Sequence, residues 1–171
     1  MNLTFPAESA KHDVFEAVAE YLAEVGFRTT HMDDTRPWGG FYYIDEAQAE
    51  KFITTYFPHL SVVDFEGFAK LSPKILLVAP DARLSWQYHH RRSEIWTVIG
   101  GDAAIMVSET DEPGEASPLP LGSFVSLKQG ERHRLIGTEE WGIVAEIWKH
   151  TDPNHPSDEE DIVRVQDDFG R

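Results

Sequence analysis

Four side chains in two short windows have the types and spacing of a metal site. Gln87, His89 and Glu94 lie within Arg83–Glu94, and His133 closes Gly130-Glu131-Arg132-His133. Strand side chains alternate between faces, so Gln87 and His89 point the same way, together with Arg83 and Ser85. A polar turn after His89 would fold Glu94 back beside it, and His133 follows a glycine turn. One amide oxygen, two imidazoles and one carboxylate suit a borderline divalent ion: zinc first, with manganese, iron or nickel as alternatives. Such a set leaves coordination positions open to water or substrate. His90 alternates to the opposite face and reads as structural, while His12, His59, His150 and His155 have no supporting neighbours.

The elements that must hold these residues read mainly as β. From Lys70 onward, short runs are punctuated by turns: Leu71–Val78, Arg83–His89, Glu94–Ile99, Ala103–Val107, Ser123–Leu127, His133–Ile136 and Gly142–Trp148, with one last strand at Ile162–Gln166. Many short, evenly spaced strands predict an all-β sandwich or jelly-roll barrel. Ahead of them, residues 8–25 predict a helix, because Val14, Phe15, Val18, Tyr21, Leu22 and Val25 recur on one face. This helix is expected on the outside of the main domain or against a partner subunit rather than as a lid. Residues 31–35 read as a polar connector. Asp45 is placed to cap a short helical insertion running to about Tyr56. Residues 59–70 carry no clear pattern. The expected organisation is an N-terminal helical extension over 1–35 and a barrel over 36–171, forming one globular unit.

Composition narrows the partners. The 171 residues carry a formal net charge of −15, which argues against nucleic acid and anionic membrane. There is no cysteine, hence no disulfide and no thiolate ligand. No apolar run approaches the ~18 residues of a membrane span, and Met1–Pro6 does not open a signal peptide, so a cytoplasmic protein is expected. Against this acidic background, Arg83, Arg91, Arg92, Lys128, Arg132 and Arg134 gather in the two windows that hold the ligand set. That placement points to a small anionic substrate, since guanidinium forks match phosphate oxygens. Arg83 is the first candidate because alternation puts it on the ligand face, and Arg134, next to His133, is the second. Aromatic-rich strands and the added helix would suit a homodimer.

The segments Pro80–Gly100 and Gly130–Gly137 resemble the two cupin motifs. Arg83–Glu94 more narrowly resembles the cupin domain of type II mannose-6-phosphate isomerases, in which glutamine replaces the usual first histidine. Arg36-Pro37-Trp38-Gly39 and the tail Asp161–Arg171 resemble the same family. The chain departs from its motifs at Asp81, Lys128, Gly137 and Arg91, which stand where glycine, proline, asparagine and histidine are usual. Nothing resembles the pyrophosphorylase domain of the bifunctional members. The resemblance implies a cupin jelly-roll and a metal-dependent exchange of mannose 6-phosphate with fructose 6-phosphate. That chemistry needs a base to take a proton from the carbon beside a carbonyl. The candidate is Glu146, a charge within the apolar strand Ile143–Trp148; it faces either a metal inside a barrel or solvent outside it. Arg164, in the matched tail, is either a ligand for phosphate or a structural clasp. A free-sugar isomerase of the D-lyxose type and a non-enzymatic sugar-binding cupin are the alternatives.

Overall fold

Short apolar strands pair into two antiparallel sheets in the computed structural model, which describes residues 2–171. In chain order the elements are α1 (Lys11–Glu24), β1 (Thr29–Asp33), β2 (Gly39–Ile44), α2 (Ala49–Tyr56), β3 (Lys74–Val78), β4 (Trp86–Tyr88), β5 (Arg92–Gly100), β6 (Ala103–Ser108), β7 (Ser117–Leu119), β8 (Phe124–Leu127), β9 (Arg132–Gly137), β10 (Gly142–His150) and β11 (Val163–Gln166). One sheet runs β1-β2-β3-β10-β5-β8 and the other β11-β4-β9-β6-β7. No helix among the described residues is long and apolar enough to cross a membrane.

The central strands of the six-stranded sheet, β2, β3, β10 and β5, are buried on both faces, and their alternation decides what each face meets. Ile75, Leu77, Ile95, Ile143, Ala145 and Ile147 turn outward to Val14, Phe15, Val18 and Leu22 of α1 and to Phe52, Ile53 and Tyr56 of α2. Leu76, Val78, Trp96, Val98 and Val144 turn inward to Ile105, Leu119 and Leu135 of the second sheet. Lys74, Glu94, Glu146 and Trp148 share the inward parity, so polar groups enter the inter-sheet space along three adjacent strands. The two helices lie on the opposite face from that space and cover the sheet rather than the site. Each Leu or Phe they bury is worth roughly 1.5–3 kcal/mol relative to exposure.

Three strands depart from the sequence expectation. Thr29–Asp33, which overlaps the expected connector over 31–35, pairs with β2 from Thr29↔Ile44 to Asp33↔Phe41, with one irregularity. It is an edge strand exposed along nearly its whole length, so it carries no hydrophobic alternation to read. Ser117–Leu119 is likewise short and largely exposed. The run expected over Arg83–His89 contracts to Trp86–Tyr88, with Arg83 reduced to an isolated bridge to Ile136. In the untyped stretch, Ser61 and Asp64 form a capping box on a single turn at Val62–Phe65.

Candidate metal centre and substrate cleft

β4, the turn after it, β5 and β9 bring His89, Glu94 and His133 together, with one ligating atom from each within 4.8 Å of the others. His89 Nε2 lies 3.1 Å from Glu94 Oε1, and His133 Nε2 lies 3.4 Å from Glu94 Oε2. Each imidazole is fixed from behind. His89 Nδ1 donates to the Asp161 carbonyl at 2.7 Å and His133 Nδ1 to the Glu131 carbonyl at 2.9 Å. A carbonyl only accepts, so both Nδ1 atoms carry the hydrogen and both Nε2 lone pairs face Glu94. His133 Nε2 is buried and has no hydrogen-bond partner. The His133 Nε2 lone pair facing Glu94 Oε2 with no hydrogen between them is repulsive unless a cation sits there. The donor chemistry therefore fits a divalent metal ion.

Charge states agree with that fit. Burial would push Glu94 up, but His89, Arg92 and His133 outweigh it and hold the carboxyl well below the usual range. Burial keeps His89 below the ordinary imidazole value, against the pull of Glu94. An ionised carboxylate beside a neutral imidazole is what metal ligation requires. Gln87 pairs in register with His133, and its Oε1 accepts from the Ser85 hydroxyl at 2.6 Å, so the two residues share a face as alternation predicts. The Arg92 guanidinium, which sequence reasoning placed only in a basic window, is buried at this centre. It donates to Glu94 Oε1 at 2.7 Å and to His89 Nε2 at 3.1 Å, and stacks on Trp148 at 3.6 Å.

Gln87, Arg92 and Glu94 form one end of a cleft of about 520 Å³, including the solvent at its mouth. Glu146 lines the same cleft, which decides its direction: it faces inward. Its Oε1 accepts from Trp96 Nε1 at 3.0 Å, and the same indole N–H reaches Glu94 Oε2 at 3.2 Å. Burial, followed by the charge of Glu94, raises the Glu146 carboxyl to about 8. Lys74, opposite Glu146 in the β3–β10 register, donates to Glu159 at 2.8 Å and lies 3.4 Å from the centre of the Trp148 ring. Burial pulls Lys74 below the usual lysine value.

The arginines fall differently from the sequence expectation. Arg83 does not line the cleft; outside a strand it loses the expected parity, and it pairs with Asp168 at 2.6 Å. Arg134 is buried away from the cleft, donating to the Gln166 carbonyl at 3.2 Å. The arginines that do line it are Arg36, Arg92, Arg164 and Arg171. Arg164 pairs in register with Gln87, through the β11–β4 ladder. Asp161 ties the tail to the turn between β4 and β5 by more than its carbonyl. Its carboxylate accepts from the His90 and Arg91 backbone N–H groups and from the Ser157 hydroxyl. His150, without context in the sequence, is a core histidine. Its Nδ1 accepts from the Ser157 N–H at 2.9 Å and its Nε2 meets the Ser72 hydroxyl at 3.0 Å.

This arrangement coincides with a family. The model for the mannose-6-phosphate isomerase C-terminal domain matches residues 45–167. The chain belongs to that family. Its cupin-type domain is the all-β fold described above. The xanthan biosynthesis protein XanB of Xanthomonas campestris pv. campestris is 28% identical over 143 residues, covering 84% of this chain and 24% of XanB. The alginate biosynthesis protein AlgA of Pseudomonas aeruginosa is 26% identical over 167 residues, covering 96% of this chain and 27% of AlgA. The chain thus spans about a quarter of the length of these relatives. Among solved structures, the capsular polysaccharide assembling protein CapF of Staphylococcus aureus aligns with TM-score 0.51 at 16% identity, over 90% of this chain and 36% of CapF. The oxalate decarboxylase of Lactobacillus farciminis aligns with TM-score 0.53 at 13% identity, over 78% of this chain and 33% of that one. At such identities these structures speak for the barrel alone.

Proposed function

We propose that the chain is a metal-dependent aldose–ketose isomerase acting on a sugar phosphate, with mannose 6-phosphate and fructose 6-phosphate as the pair. The observation that carries the reading is a free carboxylate, Glu146, buried in the same cleft as Glu94 and linked to it through one Trp96 indole N–H. A divalent ion held by Gln87, His89, Glu94 and His133, zinc first, would supply positive charge beside the oxygens of an enediolate. Glu94 is engaged by Arg92 and Trp96 and is poorly free to act as a base. Glu146 has one oxygen on Trp96 and takes the proton from C2, then returns it to C1, while the hydroxyl proton of O2 passes to O1. The Trp96 bond fixes the orientation of the Glu146 carboxylate, and Trp38, Phe41 and Trp148 line the cleft around it.

The test is isomerisation of mannose 6-phosphate by purified protein, before and after chelation, with metal content determined on the same sample and deuterium incorporation at C1 followed in heavy water. Turnover that is lost on chelation and restored by zinc or manganese supports the reading. Stoichiometric metal without turnover of mannose 6-phosphate sinks the substrate assignment and turns attention to free pentoses or to binding without chemistry.

A further inference from the structure

Five basic side chains line the cleft: Arg36, Lys74, Arg92, Arg164 and Arg171. Four have carboxylate partners. Arg36 Nε donates to Asp33 at 2.8 Å, Lys74 to Glu159 at 2.8 Å, Arg92 to Glu94 at 2.7 Å, and Arg171 to both oxygens of Asp167 at 2.9–3.0 Å. Among the described residues Arg164 has none, and its Nε is buried without a hydrogen-bond partner. A guanidinium is always charged, so an unpaired one in a half-buried wall is a group waiting for an anion. Burial, then the charge of Arg171 and more weakly that of Arg36, pulls Arg164 below the ordinary arginine value, against the opposing charges of Asp167 and Glu159.

We propose that Arg164, flanked by Arg36 and Arg171, is the subsite that takes the phosphate monoester of the substrate, at the tail-side wall of the cleft and one strand across from Gln87. The proposal rests on the isomerase reading for the sugar, but the anion site stands on its own geometry. It draws Arg36 from before β2 and Arg164 and Arg171 from the C-terminal segment. Both stretches carry the family resemblance without any place among the metal ligands. It also replaces Arg83 and Arg134, whose charges lie outside the cleft. The planar fork of Arg164 matches two oxygens of a phosphate, while Arg36 and Arg171, each already bound to one aspartate, supply field rather than a free fork.

The experiment is calorimetric titration of metal-loaded protein with glucitol 6-phosphate, which has no carbonyl to isomerise, and with glucitol as the neutral comparison. Wild type is expected to bind the phosphate ester and to bind glucitol far more weakly. Arg164→Gln should weaken glucitol 6-phosphate about 10- to 100-fold, the range for one charge-assisted pair, and leave metal content and melting temperature near wild type. Arg171→Gln, at the exposed end of the described chain, should weaken it by about 3- to 10-fold and guards against a folding defect in the first variant. Equal affinity of wild type and Arg164→Gln overturns the proposal, as does a loss with Arg83→Gln that Arg164→Gln does not share. If the phosphate binds as expected while mannose 6-phosphate is not turned over, the anion site stands and the isomerase reading falls.

Discussion

Replacing Glu146 with Gln should do two opposite things. The Gln oxygen can still accept from Trp96 Nε1, which now donates at 3.0 Å, so the local geometry has a neutral isostere. Turnover should fall by about 10²- to 10⁴-fold, the usual contribution of a positioned base. Stability should rise. The Glu146 carboxyl ionises at 4.5 in a model peptide and at about 8 in the fold, so at pH 7 the native protein holds a proton that the unfolded chain has released. Between those two values the native state binds more protons than the unfolded one, and stability falls as pH rises through the window. At pH 7, some 2.5 pH units above 4.5, the loss is about 3 kcal/mol at about 1.4 kcal/mol per unit. The amide carries no such proton, but it is itself a buried polar group, so a net gain of roughly 1–3 kcal/mol is expected. A bound cation would favour the carboxylate and mask the effect, so urea unfolding is compared on chelated protein from pH 5 to pH 8. The difference between variant and wild type should widen with pH. A constant difference refutes the burial argument, and turnover within threefold of wild type on metal-loaded protein refutes the base assignment.

Chelation should lower the melting temperature, because converging lone pairs at His89, Glu94 and His133 lose their cation; His133→Ala should purify with less than a tenth of the wild-type metal content. Trp96→Phe removes the one N–H shared by Glu94 and Glu146, and should destabilise by about 1–3 kcal/mol while lowering turnover. Gly137→Asn, which restores the residue usual in the motif, should destabilise strongly, because a Cβ there would lie 1.9 Å from the Ala79 carbonyl oxygen; a soluble variant with unchanged melting temperature would contradict this. His150 is held down to about 4 by burial, then by Lys70 and Arg92. The unfolded chain binds its proton first, so this residue's contribution is complete above the ordinary imidazole value and is lost as pH falls from there toward 4; His150→Gln should flatten that part of the stability profile.

The clustering of His89 with Glu94 was legible because turn chemistry and two-residue alternation survive without tertiary context: His89 follows Gln87 by two residues, just past the end of β4, and Glu94 returns across a turn. Alternation gave no answer for Glu146. β10 is buried on both faces, so Val144 and Ala145 look alike in sequence, and only the helices packed over one face separate them. The arginines misled for a different reason. Arg83 was given strand parity, but the strand begins at Trp86. Arg164 was visible, yet nothing in a linear reading sets it beside Gln87, from which it is separated by most of the barrel. The edge strand Thr29–Asp33 was invisible because exposed residues on both faces leave backbone pairing as its sole signature.

The carbonyl of Asp161 sets the tautomer of His89 from 72 residues downstream. At roughly 5–20 residues per second, a ribosome takes several seconds to make the intervening chain. Throughout that interval the His89 imidazole is free to protonate at either nitrogen, and the wall that carries Arg164 has not been made. The centre is therefore assembled last. A nascent chain offers metal ions only scattered, unoriented ligands, and selection of the cation falls to the finished barrel rather than to the emerging polypeptide.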